Sequence, residues 1–332
     1  MTRSTLNTIN LIADIGGTNI RIAIADENAT QKITQIETFQ CTDFSSLGDV
    51  LSLYIKNHQI ENNKINACLA IACPTDNDLI SMTNLPWQFS QKALKETLNL
   101  ANLTFINDYT AIALSVPLLA DDQKVKIGGG EENLKLPIAV CGPGTGLGVA
   151  HLVPVSVAGE NQWHCYSGEG GHVDFAAIDE TDIDILKYLN PLKKRVSYEQ
   201  LLSGYGLEQI YQALAQTEKQ SKEQTKLSAE TISKQALNNS CAISKQALSH
   251  FCKVLGSFAG NLALTMNAQG GVYIAGGIVP RFIDFLQQSE FRAMFEAKGR
   301  LSNIPKQTPT YVITAEQPGL LGAAAYLFRE FD

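Results

Sequence analysis

Leu11-Ile-Ala-Asp-Ile-Gly-Gly-Thr-Asn-Ile-Arg-Ile-Ala-Ile-Ala25 and Pro137-Ile-Ala-Val-Cys-Gly-Pro-Gly-Thr-Gly-Leu-Gly-Val-Ala-His-Leu-Val153 share one pattern: an apolar strand, a Gly/Thr turn, a second apolar strand. Glycine tolerates φ > 0 and lets bare backbone N–H groups approach an anion. Threonine adds a hydroxyl donor. The pattern predicts two hairpins whose tips cradle phosphate, one on each side of a polyphosphate. An ordinary hairpin turn needs only about two such residues, not a run.

The residues after the glycines exclude two common phosphate motifs. A dinucleotide fingerprint opens a helix directly after its glycines. Here Ile20, Ile22 and Ile24, then Val149, Leu152 and Val153, continue as strands. A P-loop needs Gly-x-x-x-x-Gly-Lys-Ser/Thr, and neither turn contains lysine. Backbone and hydroxyl donors are therefore expected to hold the phosphates, with a metal balancing the charge.

The 332 residues exceed one typical core and suit two domains. A net charge of −7 argues against nucleic acid as a partner, which would need a basic face. Cys41, Cys68, Cys73, Cys141, Cys165, Cys241 and Cys252 are scattered and form no Cys-x-x-Cys, so buried reduced thiols in a cytoplasmic protein are expected rather than zinc. The first apolar run is broken by Asp14, which speaks against a signal peptide, and no run approaches a membrane span of about 18 residues.

Strands are expected over 9–15, 20–25, 33–39, 67–72 and 103–106, with helices over 45–58 and 90–99 and a helix after Asn107-Asp108. Residues 120–135 are polar and glycine-rich and read as a linker or surface loop. The stretch 216–234 reads as a solvated loop or an exposed helix face. A helix over 242–268 would carry a small-residue face of Gly256, Ala259, Gly260 and Ala263. A strand, glycine turn and helix start are expected in 271–281, then a strand over 311–314 and a terminal helix. The repeated hairpin points to two related α/β domains facing a shared cleft.

Several polar residues stand where chemistry gathers. Asp14 closes a buried strand beside the first turn; it suits support of Mg²⁺ through water, or a turn cap. Asn107-Asp108 ends a strand, where open α/β sheets collect ligands. Asp108 could take a proton from a substrate hydroxyl while Asn107 orients it, or the pair could simply cap a helix. Ser167-Gly-Glu-Gly-Gly-His-Val-Asp174 offers Glu169 and His172, a carboxylate and an imidazole suited to polyol hydroxyls, or an exposed loop. Ser197-Tyr-Glu-Gln200 matches a capping box, with Glu199 in a first helical turn. His58, His151, His164 and His250 form no constellation.

Taken in order, Asp14-Ile-Gly-Gly-Thr-Asn19, Ala70-Ile-Ala-Cys-Pro74, Met82-Thr-Asn84, Ile106-Asn-Asp108, Gly144-Thr-Gly-Leu-Gly-Val-Ala-His-Leu152, Gly168-Glu-Gly-Gly-His-Val-Asp-Phe175, Leu202-Ser-Gly204, Gly260-Asn-Leu-Ala-Leu264, Ile274-Ala-Gly-Gly-Ile-Val-Pro-Arg281 and Pro318-Gly-Leu-Leu-Gly322 form a specific set over nearly the whole chain. The set resembles the bacterial ATP-dependent glucokinases, in their proteobacterial group, of the hexokinase/actin/Hsp70 superfamily. The resemblance implies an α/β, two-domain, actin-like ATPase (ribonuclease H-like) fold with an interdomain cleft. It implies a small domain of 1–118 plus 315–332 and a large one of 119–314. It also implies ATP with Mg²⁺, D-glucose as acceptor, glucose 6-phosphate and ADP as products, a cytoplasmic location and a homodimer. Asp108 would be the general base. Asn107, Asp108, Glu169, His172 and Glu199 would bind the sugar, the last against the capping reading. Asp14, Gly16, Gly17, Thr18 and Asn19 would hold one side of the nucleotide phosphates and Gly144 and Thr145 the other, with Gly276 and Gly277 flanking adenosine. The related ROK group carries a Cys-x-Cys-Gly-x-x-Gly-Cys zinc motif after its Gly-His. Here Gly171-His172 leads into Val-Asp-Phe-Ala-Ala-Ile, so no zinc is implied. A kinase for another sugar or acid, and a non-catalytic sugar sensor, are the competing functions.

Overall fold

Alternating apolar residues place β1 (Thr8–Ile15) beside β2 (Asn19–Asp26) as an antiparallel pair, with Asp14 opposite Arg21 and Ile15 opposite Ile20. The computed structural model describes residues 7–26, 29–82, 85–157, 160–217 and 226–330, and the chain divides into two compact units, Met1–Leu119 with Ala315–Asp332 and Ala120–Thr314. In the first unit β3 (Ala29–Gln40) extends the meander on β2. Helix α1 (Leu47–Asn57) comes next in the chain; the Ser46 hydroxyl caps it by accepting from the Asp49 N–H, and Leu47, Val50, Leu51, Tyr54 and Ile55 form its buried stripe. After it runs β4 (Lys64–Ile71), parallel to β1. The short pair β5 (Leu79–Ser81) and β6 (Gln88–Ser90) leads to α2 (Gln91–Thr97). Then β7 (Asn102–Asn107), parallel to β4, turns without a loop into α3 (Asp108–Ser115). The sheet order is β3-β2-β1-β4-β7.

The second unit begins with β8 (Lys124–Gly128), followed by the meander β9 (Ile138–Pro143), β10 (Leu147–Val157) and β11 (Glu160–Gly168). A helical stretch comes next: α4 (Glu180–Lys193), α5 (Gly204–Thr217), α6 (Ala229–Leu237) and α7 (Ala242–Thr265). Then come β12 (Gly271–Ile274), α8 (Ile283–Gln288), α9 (Phe291–Glu296), α10 (Asn303–Gln307) and β13 (Thr310–Ile313). The sheet order is β11-β10-β9-β12-β13-β8. Its first five strands repeat the first unit: an antiparallel meander, then two parallel strands. Along α7 the small-residue face is where α9 rests. A Cβ on Gly256 would stand 2.0 Å from Phe291 O, and one on Gly260 2.3 Å from Phe295 O.

After β13 the chain returns to the first unit as α11 (Pro318–Glu330). Leu320, Ala323, Ala324 and Leu327 pack with Ile12, Ala70, Ile106 and Ala111 on one face of the sheet. Each fully buried leucine contributes about 1.5–3 kcal/mol. The approach is close: a Cβ on Gly322 would lie 1.6 Å from Ala111 O in α3.

Four expectations change. Residues 120–135 are not a plain linker, because β8 lies among them and pairs antiparallel with β13. Its Val125 and Ile127 alternate with Lys124 and Lys126, the lysine-guarded pattern of an edge strand. The Ser197 box opens only a three-residue 3-10 turn, Tyr198–Gln200; the α-helix starts at Gly204. Of 216–234, residues 229–234 begin α6, which buries Ile232, while 218–225 lie outside the described residues, as do Thr83 and Asn84 of the 82–84 motif. The glycines of the two turns do not use the left-handed region. Among the described residues, the glycines with positive φ are Gly129, Gly271, Gly276 and Gly299.

Gly322→Ala is expected to lower unfolding free energy by about 1–3 kcal/mol through overpacking. Gly48→Ala in α1, whose Cβ would meet Leu94 at an ordinary 3.4 Å, should be neutral or gain up to about 1 kcal/mol from helix propensity. Urea denaturation of both variants checks the contrast.

Candidate functional site

In the first unit the functional side chains gather where the parallel strands end. Ile15 pairs with Ile71, and Ile71 with Asn107; one row back, Asp14 pairs with Ala70 and Ala70 with Ile106. The carboxyl ends of β1, β4 and β7 thus present Asp14, Asn107 and Asp108 along one edge. Asn107 is the N-cap of α3: its Oδ1 accepts from the N–H groups of Tyr109 at 2.9 Å and Thr110 at 3.2 Å. This cap turns the chain sharply and sets Asp108 as the first helical residue. Asp108 Oδ1 also accepts from the Tyr109 N–H at 2.9 Å. Burial raises the pKa of Cys73, just beyond β4, and the Asp108 charge adds to that rise.

Asp14 is seated differently. Arg21, its cross-strand partner, lies 3.7 Å away, a loose pair. Gly319, at the start of α11, lies so close that a Cβ there would be 2.8 Å from Asp14 Cγ. Burial pushes the Asp14 carboxyl above its ordinary range, and Arg21 only partly opposes the shift. In the turn beyond it, Gly16 N–H donates to Asn19 O at 3.0 Å, and Cys41 N–H to Thr18 O at 2.8 Å. Gln40 Nε2 donates to Asn19 Oδ1 at 2.6 Å. The N–H groups of Gly17 and Thr18 find no acceptor among the described residues.

The second unit holds the remaining candidates around its own turn. Gly144 N–H donates to Gly146 O at 2.8 Å, and the Gly144 carbonyl accepts from Gly204 N–H, at the start of α5, at 3.0 Å. Leu147 N–H donates to Glu199 Oε2 at 3.0 Å. The other Glu199 oxygen lies 3.8 Å from His172 Nε2. Glu169 and His172 flank a single 3-10 turn, Gly170–His172, closed by His172 N–H donating to Glu169 O at 2.9 Å. Gly171 rests on the turn's exit, since a Cβ there would be 2.2 Å from Leu147 O. Arg195 pins the segment from outside, donating to His172 O and to Asp174 Oδ1, both at 2.6 Å. So Glu169, His172, Glu199 and the 144–147 turn are brought together within one unit.

Gly276 is bound to this arrangement by its backbone. Its φ is +86°, and a Cβ would stand 2.5 Å from Pro143 O, so only glycine fits. Gly277 has nothing within 4 Å of its Cβ position. Pro143 therefore closes β9 opposite Leu147 and seats the Gly276-Gly277 turn, rather than entering the 144–146 turn itself. Among the described residues no three His, Cys, Asp or Glu side chains converge as a metal site, and no helix is long and apolar enough to cross a membrane.

A family model described as Glucokinase matches residues 11–330. The chain belongs to the glucokinase family. A glucokinase from Colwellia psychrerythraea is 63% identical over 326 residues, 97% of this chain and 97% of that protein. Among solved structures, the glucokinase of an Antarctic psychrotroph superposes with a TM-score of 0.84 at 36% identity, covering 97% of this chain and 99% of that one. The Balamuthia mandrillaris glucokinase, solved in complex with glucose, has a TM-score of 0.77 at 22% identity, covering 99% and 95% respectively, and shows the fold alone. Proteins described as ROK-family members also share this fold, at 15–18% identity. It is an α/β fold of mixed sheets, with sugar kinases as structural neighbours.

Sequence reasoning left Gly146, the Leu147 amide and Arg195 in the second unit, and Arg21 and Gly319 in the first, without a place beside the candidate residues. Gly146, Leu147 and Gly319 lie inside quoted motifs, but a backbone amide or a missing Cβ leaves no chemical signature in sequence.

A raised folded-state pKa means that the ionised Asp14 is disfavoured by folding. That cost is full above the raised pKa and vanishes below the unfolded value of about 3.9. Asp14→Asn should therefore stabilise the ligand-free protein near pH 7.5 and lose this gain by about pH 3.5. Chemical denaturation at the two pH values checks the sign.

Proposed function

We propose that phosphoryl transfer from ATP to O6 of D-glucose is carried by Asp108 as general base, with Asn107, Glu169, His172 and Glu199 as its fellow sugar ligands. As a member of the glucokinase family the chain is an ATP-dependent hexose kinase that phosphorylates glucose. The residue assignment rests above all on the strand-end edge of the first unit, where the Asn107 cap fixes Asp108 at the mouth of α3. Asp108 accepts the hydroxyl proton as O6 attacks. The O6–P bond forms, the bond from Pγ to the β-phosphate oxygen breaks, and its electron pair leaves with ADP. Glu169, His172 and Glu199 match a polyol because carboxylates accept and an imidazole both donates and accepts. The two repeated α/β units support the actin-like, ribonuclease H-like architecture, with one phosphate turn in each.

The phosphates would meet Gly16, Gly17, Thr18 and Asn19 from the first unit and Gly144 and Thr145 from the second. Gly276 and Gly277 would flank adenosine, since Gly277 is open and Gly276 is pinned beside the second turn. Asp14 fits Mg²⁺ chemistry: it is a hard oxygen donor, desolvated and only loosely paired. Mg²⁺ when bound neutralises charge on the β- and γ-phosphates, and Asp14 would hold it through water. No zinc enters this scheme, because residues 173–178 offer no thiolate after His172. A non-ROK grouping, a cytoplasmic location and a homodimer complete the proposal and rest on the motif resemblance.

A coupled ADP-release assay across glucose, mannose, fructose, N-acetylglucosamine and acetate tests the function. Glucose should give the highest kcat/KM; a preference for acetate or no sugar-dependent turnover contradicts it. Removing a charged hydrogen-bond partner costs about 1.5–3 kcal/mol, so Glu169→Gln should raise the glucose Kd about 10- to 150-fold. Its ATP Kd should stay near the parent value, as calorimetry would show.

A further inference from the structure

Gly146 has no part in the proposed phosphoryl transfer, yet a side chain there would have to displace the Glu199 carboxylate. A Cβ there would stand 2.5 Å from Glu199 Oε2 and 3.3 Å from Cδ. Backbone conformation does not explain the glycine, since its φ is not in the left-handed region. The adjacent Leu147 N–H donates to that same Oε2 at 3.0 Å, while Oε1 is directed toward His172, 3.8 Å from Nε2. A hydrogen bond to an ionised carboxylate is about twice as strong as a neutral one. The bond therefore sets the orientation of Glu199 and the position of the Leu147 peptide together. The turn behind them is braced by Gly144 N–H on Gly146 O and by Gly204 N–H on Gly144 O.

We propose that Gly146 is a positioning residue for the sugar, and that the Leu147 N–H···Glu199 bond couples sugar occupancy to the geometry of the phosphate turn, with the sugar-binding role proposed for Glu199 as the premise. A methyl group at 146 would displace the carboxylate that the sugar needs. Coupling between two ligands is reciprocal, so what strengthens one binding event strengthens the other. Gly48 in α1 supplies the contrast, because a Cβ there would meet its nearest neighbour, Leu94, at an ordinary 3.4 Å.

The test measures the glucose Kd of nucleotide-free protein by calorimetry, with a thermal melt confirming the fold. Gly146→Ala should raise that Kd about 10- to 100-fold, whereas Gly48→Ala should leave it within about twofold of the parent. A Gly146→Ala protein with parental glucose affinity and weakened ADP binding overturns the proposal. Glu199→Gln is measured alongside. If it leaves the glucose Kd unchanged, the sugar role of Glu199 falls and the coupling with it. If Gly146→Ala does not fold, the glucose Kd of the parent is measured with and without saturating ADP. A glucose Kd lowered by ADP supports the coupling, and an unchanged one overturns it.

Discussion

The Leu147 peptide is the position on which the second unit's ligand-bearing segments converge. Its N–H is bonded by Glu199, and its carbonyl is overlain by Gly171 of the turn that carries Glu169 and His172. Its side chain is buried among Val149, Phe175, Tyr198 and Leu201. Shifting this peptide would move Glu199 and the 144–147 turn at once. Hydrogen bonds among segments far apart in sequence hold these side chains in place.

The first unit solves a related problem with the same means. There a glycine, Gly319, also stands where a side chain would strike a carboxylate, that of Asp14. Both carboxylates are thus seated against bare backbone. Their electrostatic settings differ. Glu199 accepts the Leu147 backbone N–H. Burial raises the Asp14 carboxyl above its ordinary range with only a loose Arg21 partner, so its charge works against folding. The packing of α11 on α3, through Gly322 and Leu320, supplies stability elsewhere in the same unit.

The elements that bury an apolar face were legible in the sequence. The strands around both turns, α1 and α7 follow from periodicity because burial demands it. Of the strands that sequence patterning does not reveal, β8 and β11 lie at the edges of the second sheet, while β5 and β6 form a separate short pair. Lys124 and Lys126, and Gln162 and His164, keep edge strands polar, which makes them read as loops. Asn107-Asp108 was legible as a position but not as a choice between cap and catalyst; in the structure the cap is Asn107, and Asp108 is the first residue of the helix. The role of Gly146 was invisible because it depends on a contact with Glu199, far along the chain. Likewise the glycine turns suggested φ > 0, whereas Gly146 is required by close approach instead.

The claim that proton transfer rests on Asp108 is tested most directly by Asp108→Asn. The amide keeps the size of the side chain and can still accept from the Tyr109 N–H, but it cannot take the hydroxyl proton. With glucose Kd measured alongside steady-state turnover, kcat should fall by about 10²- to 10⁴-fold while the glucose Kd changes little. A folded Asp108→Asn protein that keeps more than about a tenth of the parental kcat would contradict the account and remove Asp108 from the proton's path.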